Sequence, residues 1–201
     1  MKILGLTGPS GSGKGFLANI FYSFGIPYLD TDAVYHGLVS SPSLCTRELE
    51  TVFGDFVLND DGSLNRKKMA AYVFSGDNQQ EERLATLNRI THRYVLDEVR
   101  VWLNQRAKEG YKAAIIDAPL LYESGFDKQC DFVIAVLAPR KLRLARIIKR
   151  DGMDELSALS RLNAQPSDTF YRERADFIID NDADEAKAIA KAEKILAFLG
   201  L

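Results

Sequence analysis

Short runs of apolar residues alternate along the chain with longer stretches in which apolar positions recur at helical spacing. The helical spacing predicts helices near residues 14–24, 43–53, 66–74, 79–108, 140–150, 154–165 and 183–199. The apolar runs predict five buried strands, at Lys2–Thr7, 26–30, Ala113–Asp117, Phe132–Leu137 and Phe177–Asp180. Continuous apolar strands that alternate with helices are typical of a parallel sheet covered on both faces. The pattern therefore predicts an α/β fold, with a three-layer core built on a five-stranded parallel sheet.

A glycine-rich segment, GPSGSGK, follows the first predicted strand, and helical spacing begins directly after it. Glycines let successive backbone N–H groups turn inward on an anion, and the following helix adds its positive N-terminal end. Lys14 supplies a mobile charge for the outer phosphates of a nucleotide. Strand, loop and helix in this order indicate a nucleotide-phosphate site, against the alternative of a plain glycine-rich turn. The position after Lys14, where Ser or Thr would bind Mg²⁺, is occupied by Gly15.

Acidic residues mark the carboxyl ends of two predicted strands. Asp30 and Asp32 end the second strand, at the edge that carries the ligand crevice in open α/β sheets. A carboxylate there can accept a proton from an attacking hydroxyl or help to hold Mg²⁺; the alternative is a helix N-cap. Asp117 ends the third strand in a pattern typical of a Walker B segment, whose Asp orients Mg²⁺ directly or through water. The alternative for Asp117 is an ordinary capping residue.

The predicted helix after the fourth strand carries six basic residues in eleven positions and no acid. Arg143, Arg146 and Arg150 share one face of that helix. They favour either a solvated face or a set of arginines that stabilise the charge of a transferring phosphoryl group. Arg161 and Gln165, four residues apart on the next predicted helix, are candidates for the same space.

Composition argues against a general nucleic-acid-binding protein and against a membrane protein. The chain has 201 residues and a net charge of −2, which is long enough for one good core and speaks against general nucleic-acid binding. Two isolated cysteines, Cys45 and Cys130, have no metal-binding spacing and favour a reducing, cytoplasmic compartment. The sequence has neither the roughly 18 consecutive apolar residues of a membrane span nor the apolar region of a signal peptide. We therefore expect no membrane partner.

The order of elements predicts one P-loop domain over residues 1–201. Its core comprises about 1–35, 109–139 and 176–201. Residues from about 36 to 108 contain helices but no core strand, which predicts an insertion beside the sheet. Residues from about 140 to 175 are rich in Arg and polar groups, which predicts a lid over the phosphates.

Nearly the whole chain resembles the dephospho-coenzyme A kinase family. The matching stretches are GLTGPSGSGKG, YLDTDAVYHGLV, DGSLNRKKMAAYVFS, LNRITHRYV, IIDAPLLYESG, KLRLARIIKRDG, SRLNAQ and RADFIIDND, in the order of that family. The most specific are the aspartate pair at 30 and 32, the DGSLNR turn and the DAPLLYESG segment. Shikimate and gluconate kinases share the first loop but not these segments.

The resemblance implies a P-loop kinase domain similar in build to the nucleoside monophosphate kinases. It implies transfer of the γ-phosphoryl group of ATP to the ribose 3′-hydroxyl of dephospho-CoA, giving CoA and ADP, the last step of coenzyme A biosynthesis. ATP and Mg²⁺ are the implied cofactors, and ATP and dephospho-CoA are the small-molecule partners. The helical insertion is implied to bind the coenzyme A precursor. We expect a monomer or a weak homo-oligomer.

The resemblance also implies residue roles. Asp32 is the implied general base, and Lys14 and Arg146 stabilise charge on the phosphate. The implied ATP-binding set is Gly11, Ser12, Gly13, Lys14, Gly15, Phe16, Arg146, Arg150 and Asn181. The implied acceptor-binding set is Asp32, His92, Leu120, Glu123 and Arg161. The implied metal ligands are Asp32 and Asp117, with water between protein and metal.

Two departures distinguish this chain from the family pattern. Gly15 and Phe16 replace a Ser-Thr pair, and Arg93 follows His92 where the family has His-Pro. The first leaves Mg²⁺ without the usual hydroxyl ligand, and the second weakens the assignment of His92 to the acceptor site. The alternative functions are another small-molecule kinase of the same fold and a nucleotide-binding switch protein without catalysis.

Overall fold

Five parallel strands form one sheet in the computed structural model, which describes residues 1–182 and 184–201. The strands are β1 (Lys2–Thr7), β2 (Tyr28–Asp30), β3 (Ala113–Asp117), β4 (Phe132–Leu137) and β5 (Phe177–Asp180). The helices are α1 (Lys14–Ser23), α2 (Thr31–Val39), α3 (Leu44–Phe53), α4 (Arg66–Val73), α5 (Gln80–Lys108), α6 (Arg140–Asp151), α7 (Glu155–Asn163), α8 (Asp168–Arg172) and α9 (Glu185–Leu199). Short 3₁₀ helices lie at Asp55–Val57 and Phe126–Gln129.

The order of strands across the sheet is β2-β3-β1-β4-β5. Lys2 pairs with Ala113 on one side of β1, and Leu4 pairs with Phe132 on the other. The chain therefore builds one half of the sheet before it crosses to the other, and the loop after β1 lies where the strand order reverses. Ligands of open α/β sheets bind at such a reversal, outside the carboxyl ends of the strands.

Burial of the central strands explains their continuous apolar sequence. Every residue of β3 is buried, and so is every residue of β4 after Phe132. Because successive side chains of a strand point to opposite faces, both faces of the sheet are covered at these strands. On one face, Leu17 and Phe21 of α1 and Leu196 of α9 pack in the main apolar cluster. The predicted α/β fold with a five-stranded parallel sheet is confirmed.

The predicted strands and helices differ from the structure in three places. β2 begins at Tyr28 rather than at 26, because Pro27 has no N–H to donate; its carbonyl oxygen accepts from Ile115 at 2.8 Å. Helix α2 is absent from the predicted helices, because Val39 is its one fully buried residue and its sequence carries only a weak apolar stripe. The five-residue helix α8 is too short for a helical period to show.

The chain divides into two compact units. One comprises Met1–Asp30 and Leu103–Leu201 and contains the sheet; the other, Thr31–Trp102, is called the helical unit here. The helical unit has its own apolar cluster. An ion pair between Arg93 and Glu48 joins α5 to α3, and Tyr94 donates to the same carboxylate at 2.8 Å. Arg93 therefore has a structural partner within its own unit.

Both cysteines are free thiols, and Cys45 is buried. Across residues 1–182 and 184–201, we find no helix with the length and apolar character that a membrane crossing requires.

Candidate active site

The phosphate loop, residues 8–14, connects β1 to α1. Gly11 and Gly13 have φ angles of +77° and +95°, which residues with a side chain rarely adopt. A Cβ at Gly11 would lie 2.7 Å from the carbonyl oxygen of Arg143, and one at Gly13 would lie 2.2 Å from Nδ2 of Asn181. Both glycines are therefore required by backbone conformation and by close packing.

The amino end of α1 is built to receive an anion. Gly13 is its N-cap residue, and among the described residues no side chain caps this end and no acid lies in its first turn. The backbone N–H groups and the positive end of the helix dipole are thus not neutralised by a side chain. Lys14 folds back over the loop, where its Nζ donates to the carbonyl oxygen of Gly8 at 3.0 Å.

Side chains from α6 and from the residue after β5 bind carbonyl oxygens of the loop. Nη1 of Arg146 donates to the carbonyls of Gly11 at 3.1 Å and Ser12 at 3.2 Å. Nδ2 of the buried Asn181 donates to the carbonyl of Ser12 at 2.7 Å. Burial lowers the pKa of Arg146, but a guanidinium remains charged at physiological pH. These bonds reduce the negative potential that the loop carbonyls would present to a phosphate.

A cavity of about 280 Å³ opens beside the loop. Its lining includes Phe16 of α1, Arg146 of α6 and Asn181 after β5. An aromatic ring, a guanidinium and an amide are suited to the face and edge of a nucleobase.

The three aspartates predicted at strand ends lie in different elements: two on neighbouring strands and one on a helix. Asp30 and Asp117 are neighbours in the register of β2 and β3, and Asp117 is 7% exposed. Asp32 lies in the first turn of α2, in the helical unit. Within the described part of the chain, no three His, Cys, Asp or Glu side chains gather as a ready-made metal site. Gly15 lies in the first turn of α1, and a Cβ there would have no described atom within 4 Å.

A family model described as dephospho-CoA kinase matches residues 2–187. The chain belongs to the dephospho-CoA kinase family. A dephospho-CoA kinase from Corynebacterium diphtheriae is 38% identical over 181 residues, 90% of this chain and 88% of that relative. Two solved structures are similar over nearly their whole lengths. TT1252 from Thermus thermophilus has a TM-score of 0.81 at 30% identity, covering 98% of this chain and 97% of its own. Dephospho-CoA kinase from Campylobacter jejuni has a TM-score of 0.71 at 26% identity, covering 99% and 98%.

Membership of the dephospho-CoA kinase family confirms the resemblance read from the motifs, and a P-loop kinase family implies use of ATP.

The arginines of the basic helix α6 have different surroundings in the structure. Arg146 lies against the loop carbonyls, whereas Arg150 is exposed, pairs with Asp151 at 2.6 Å and reaches Oγ of Ser10 at 3.5 Å. Arg161 donates to the same carboxylate at 2.8 Å. The bond from Arg150 lowers the pKa of Asp151.

Arg143 neither belongs to a solvated face nor is free to reach a transferring phosphoryl group, the two roles that the sequence favours for the basic helix. It is 6% exposed, so it does not belong to a solvated face, and its Nε donates to the carbonyl of Ser10 at 3.1 Å. The Oε1 atom of Gln165 accepts from the N–H of Ser10 at 3.0 Å. The structure therefore brings Arg143, Arg146 and Gln165 into contact with the backbone of the phosphate loop. The basic pattern alone gave no signal for the burial of Arg143.

The residues predicted for the acceptor fall in several places. Leu120 and Glu123 are exposed in the turn that follows β3. His92 is half-buried on α5 within the helical unit. Their roles toward the acceptor in this dephospho-CoA kinase family member stay predictions.

Proposed function

We propose that this chain transfers the γ-phosphoryl group of ATP to the ribose 3′-hydroxyl of dephospho-CoA, releasing CoA and ADP. The observation that carries the proposal is the dephospho-CoA kinase family match over residues 2–187. The well-formed phosphate loop supports it, because its glycine geometry and uncapped helix end suit a nucleoside triphosphate. The reaction is the last step of coenzyme A biosynthesis and belongs to the cytoplasm. The enzyme acts as a monomer or a weak homo-oligomer.

The ATP side of the mechanism rests on positioning and charge. The residues from Gly11 to Phe16 receive the phosphates, and the cavity beside Phe16 and Asn181 takes the adenine base. Lys14 leaves the carbonyl of Gly8 and moves onto the outer phosphates, a motion that its flexible stem allows. Arg146 and Arg150 stabilise the charge of the transferring phosphoryl group as parts of a lid over about 140–175.

The carboxylates that are candidate ligands fit a Mg²⁺ ion that keeps most of its water ligands. Asp117 supplies a buried carboxylate at the carboxyl end of β3, which is the hard oxygen ligand that Mg²⁺ prefers. Gly15 has no side chain that could supply a ligand, so water would take the place of the usual hydroxyl, and Asp32 is the second candidate ligand. When bound, Mg²⁺ neutralises charge on the β and γ phosphates.

The acceptor side rests on Asp32 and the helical insertion. Asp32 accepts the proton of the attacking 3′-hydroxyl as that oxygen bonds to phosphorus. Residues from about 36 to 108 bind dephospho-CoA, with His92 among the contacts. Leu120, Glu123 and Arg161 are the remaining candidate contacts.

A panel of acceptors tests the proposal. ADP release is followed in a coupled assay with dephospho-CoA, AMP, shikimate and gluconate, each at saturating ATP and Mg²⁺. Turnover with dephospho-CoA alone is expected. A Lys14→Ala variant purified in parallel controls for contaminating kinases and should lack activity. Turnover with another acceptor would point to a different kinase of this fold, and nucleotide binding without turnover on any acceptor would point to a switch protein.

A further inference from the structure

Arg143 lies on α6 and is almost completely buried, although its side chain carries a full charge. Its guanidinium donates to three residues in two distant segments of the chain. Nε donates to the carbonyl of Ser10 at 3.1 Å, Nη2 to Oε1 of Gln165 at 3.0 Å, and Nη1 to Oδ1 of Asp168 at 3.4 Å. Burial lowers the pKa of Arg143 and Asp168 opposes that shift, but the group stays protonated. A buried charge is tolerated only where it is bonded and paired, and these three acceptors meet that requirement.

Ser10 is held through both of its backbone polar groups. Its carbonyl accepts from Arg143, and its N–H donates to Oε1 of Gln165 at 3.0 Å. The same Gln165 oxygen accepts from Arg143, so the three groups form a closed set of hydrogen bonds. The next loop residue also rests on α6, because a Cβ at Gly11 would lie 2.7 Å from the carbonyl oxygen of Arg143. Two side chains from outside the loop therefore set the conformation of this part of it.

We propose that Arg143 is a positioning residue for nucleotide binding, which with Gln165 clamps Ser10 so that the phosphate loop keeps its anion-binding form before the nucleotide arrives. A loop ordered in advance loses less conformational entropy when the phosphates bind. The benefit falls on nucleotide affinity rather than on the chemical step, because Arg143 bonds the loop backbone and Asp168. The inference rests on the proposed function only for the use of ATP, and it does not depend on the identity of the acceptor.

The decisive comparison is between two arginine-to-methionine variants on the same helix. Arg143→Met keeps an unbranched apolar side chain that reaches about as far as Nε but removes the donors, so the Ser10 carbonyl loses a charged partner. We expect the Kd of a fluorescent ADP analogue and the KM of ATP each to rise about tenfold, equivalent to about 1.4 kcal/mol. The kcat should change less than about threefold and the KM of the acceptor should not change. Arg140→Met is the matched control, because Arg140 is exposed and donates to Asn163.

A second pair of variants tests the clamp from its other side. Gln165→Glu keeps an oxygen that accepts from both Ser10 and Arg143, and its nucleotide affinity should stay close to that of the parent. Gln165→Leu removes that oxygen and should weaken binding by about as much as Arg143→Met, since both open the same closed set. This pair decides the question if Arg143→Met does not fold.

Equal nucleotide Kd values for Arg143→Met and Arg140→Met, within about twofold, would overturn the proposal. So would a lower Tm of Arg143→Met with unchanged nucleotide affinity of the folded protein, because that result assigns a structural role alone. Equal affinities of Gln165→Leu and Gln165→Glu would have the same meaning. Titration with the ADP analogue needs no acceptor, so a failure of the acceptor panel and a failure of the clamp are distinguishable.

Discussion

Substitution of Gly15 by Ser restores the hydroxyl that the phosphate loops of related kinases carry, and its effects separate into two measurable parts. The first is stability. Gly15 lies in the first turn of α1, its φ is not positive, and a Cβ there would have no described neighbour within 4 Å. The substitution therefore causes neither strain nor overlap. Helix propensity favours Ser over Gly by about 0.5 kcal/mol and Ala over Gly by about 1 kcal/mol.

In a chain of this length, those gains correspond to a rise in Tm of about 1–2 °C for Gly15→Ser and about 3 °C for Gly15→Ala. The second part is the dependence on Mg²⁺. A hydroxyl beside the metal replaces one of its waters, and a net gain of about 1 kcal/mol lowers the half-saturating Mg²⁺ concentration about fivefold. Ala has no hydroxyl, so Gly15→Ala should keep the Mg²⁺ requirement of the parent.

The assay is ADP release at saturating ATP and dephospho-CoA, titrated with Mg²⁺ for the parent, Gly15→Ser and Gly15→Ala. Tm is measured for each protein by differential scanning calorimetry. We expect both variants to be stabilised and only the Ser variant to shift its Mg²⁺ curve. The same Mg²⁺ curve for all three proteins would refute the idea that the missing hydroxyl weakens metal binding.

Three further predictions address the general base, the lid and the helical unit. Asp32→Asn should lower kcat at least about 100-fold with little change in ATP affinity; near-normal turnover would remove this carboxylate from catalysis. Arg146→Lys should raise the KM of ATP, because Lys lacks the planar guanidinium, whereas Arg140→Lys should not; equal kinetic constants would contradict the assignment. A hydrogen bond from Tyr94 lowers the pKa of Glu48. The stabilisation that this carboxylate contributes is therefore fully present above the unfolded-state pKa of about 4.3 and is lost as pH falls through the lower folded-state pKa. Glu48→Gln should therefore lower Tm at pH 7 but much less near pH 3, and an equal loss at both values would argue against this cause.

Local pattern was sufficient for most of the sheet. The apolar runs at β1, β3, β4 and β5 match the strands residue for residue. Burial explains this at the central strands, because parallel strands covered on both faces are apolar without interruption. Pattern was insufficient for α2, where most side chains are partly or fully exposed and the apolar stripe is weak. The predicted second strand begins two residues too early. Pro27 accepts a hydrogen bond from Ile115 through its carbonyl oxygen, but its nitrogen has no N–H with which to continue the strand.

At the phosphate loop, too, the residues defined by local sequence could be predicted, and those defined by distant contacts could not. The glycines and Lys14 are recognisable because their spacing along the chain is itself the requirement for binding phosphate. Arg143 is not, because its charge pattern is the same whether the helix face meets water or a loop more than 130 residues earlier in the chain. Burial of a charged residue is decided by tertiary partners, here Ser10, Gln165 and Asp168, which no local period encodes.

The order of strands across the sheet has a consequence for biosynthesis. β1 is translated long before either of its neighbours in the sheet, since Lys2 pairs with Ala113 and Leu4 with Phe132. At roughly 5–20 residues per second, this apolar strand waits about 5–20 s for its first partner. The phosphate loop that follows it waits longer, because the bond to the Ser12 carbonyl comes from Asn181, 169 residues later in the chain. The phosphate loop is therefore made early but completes its native contacts late, and a nascent chain lacks the bond to the Ser12 carbonyl until Asn181 has been added.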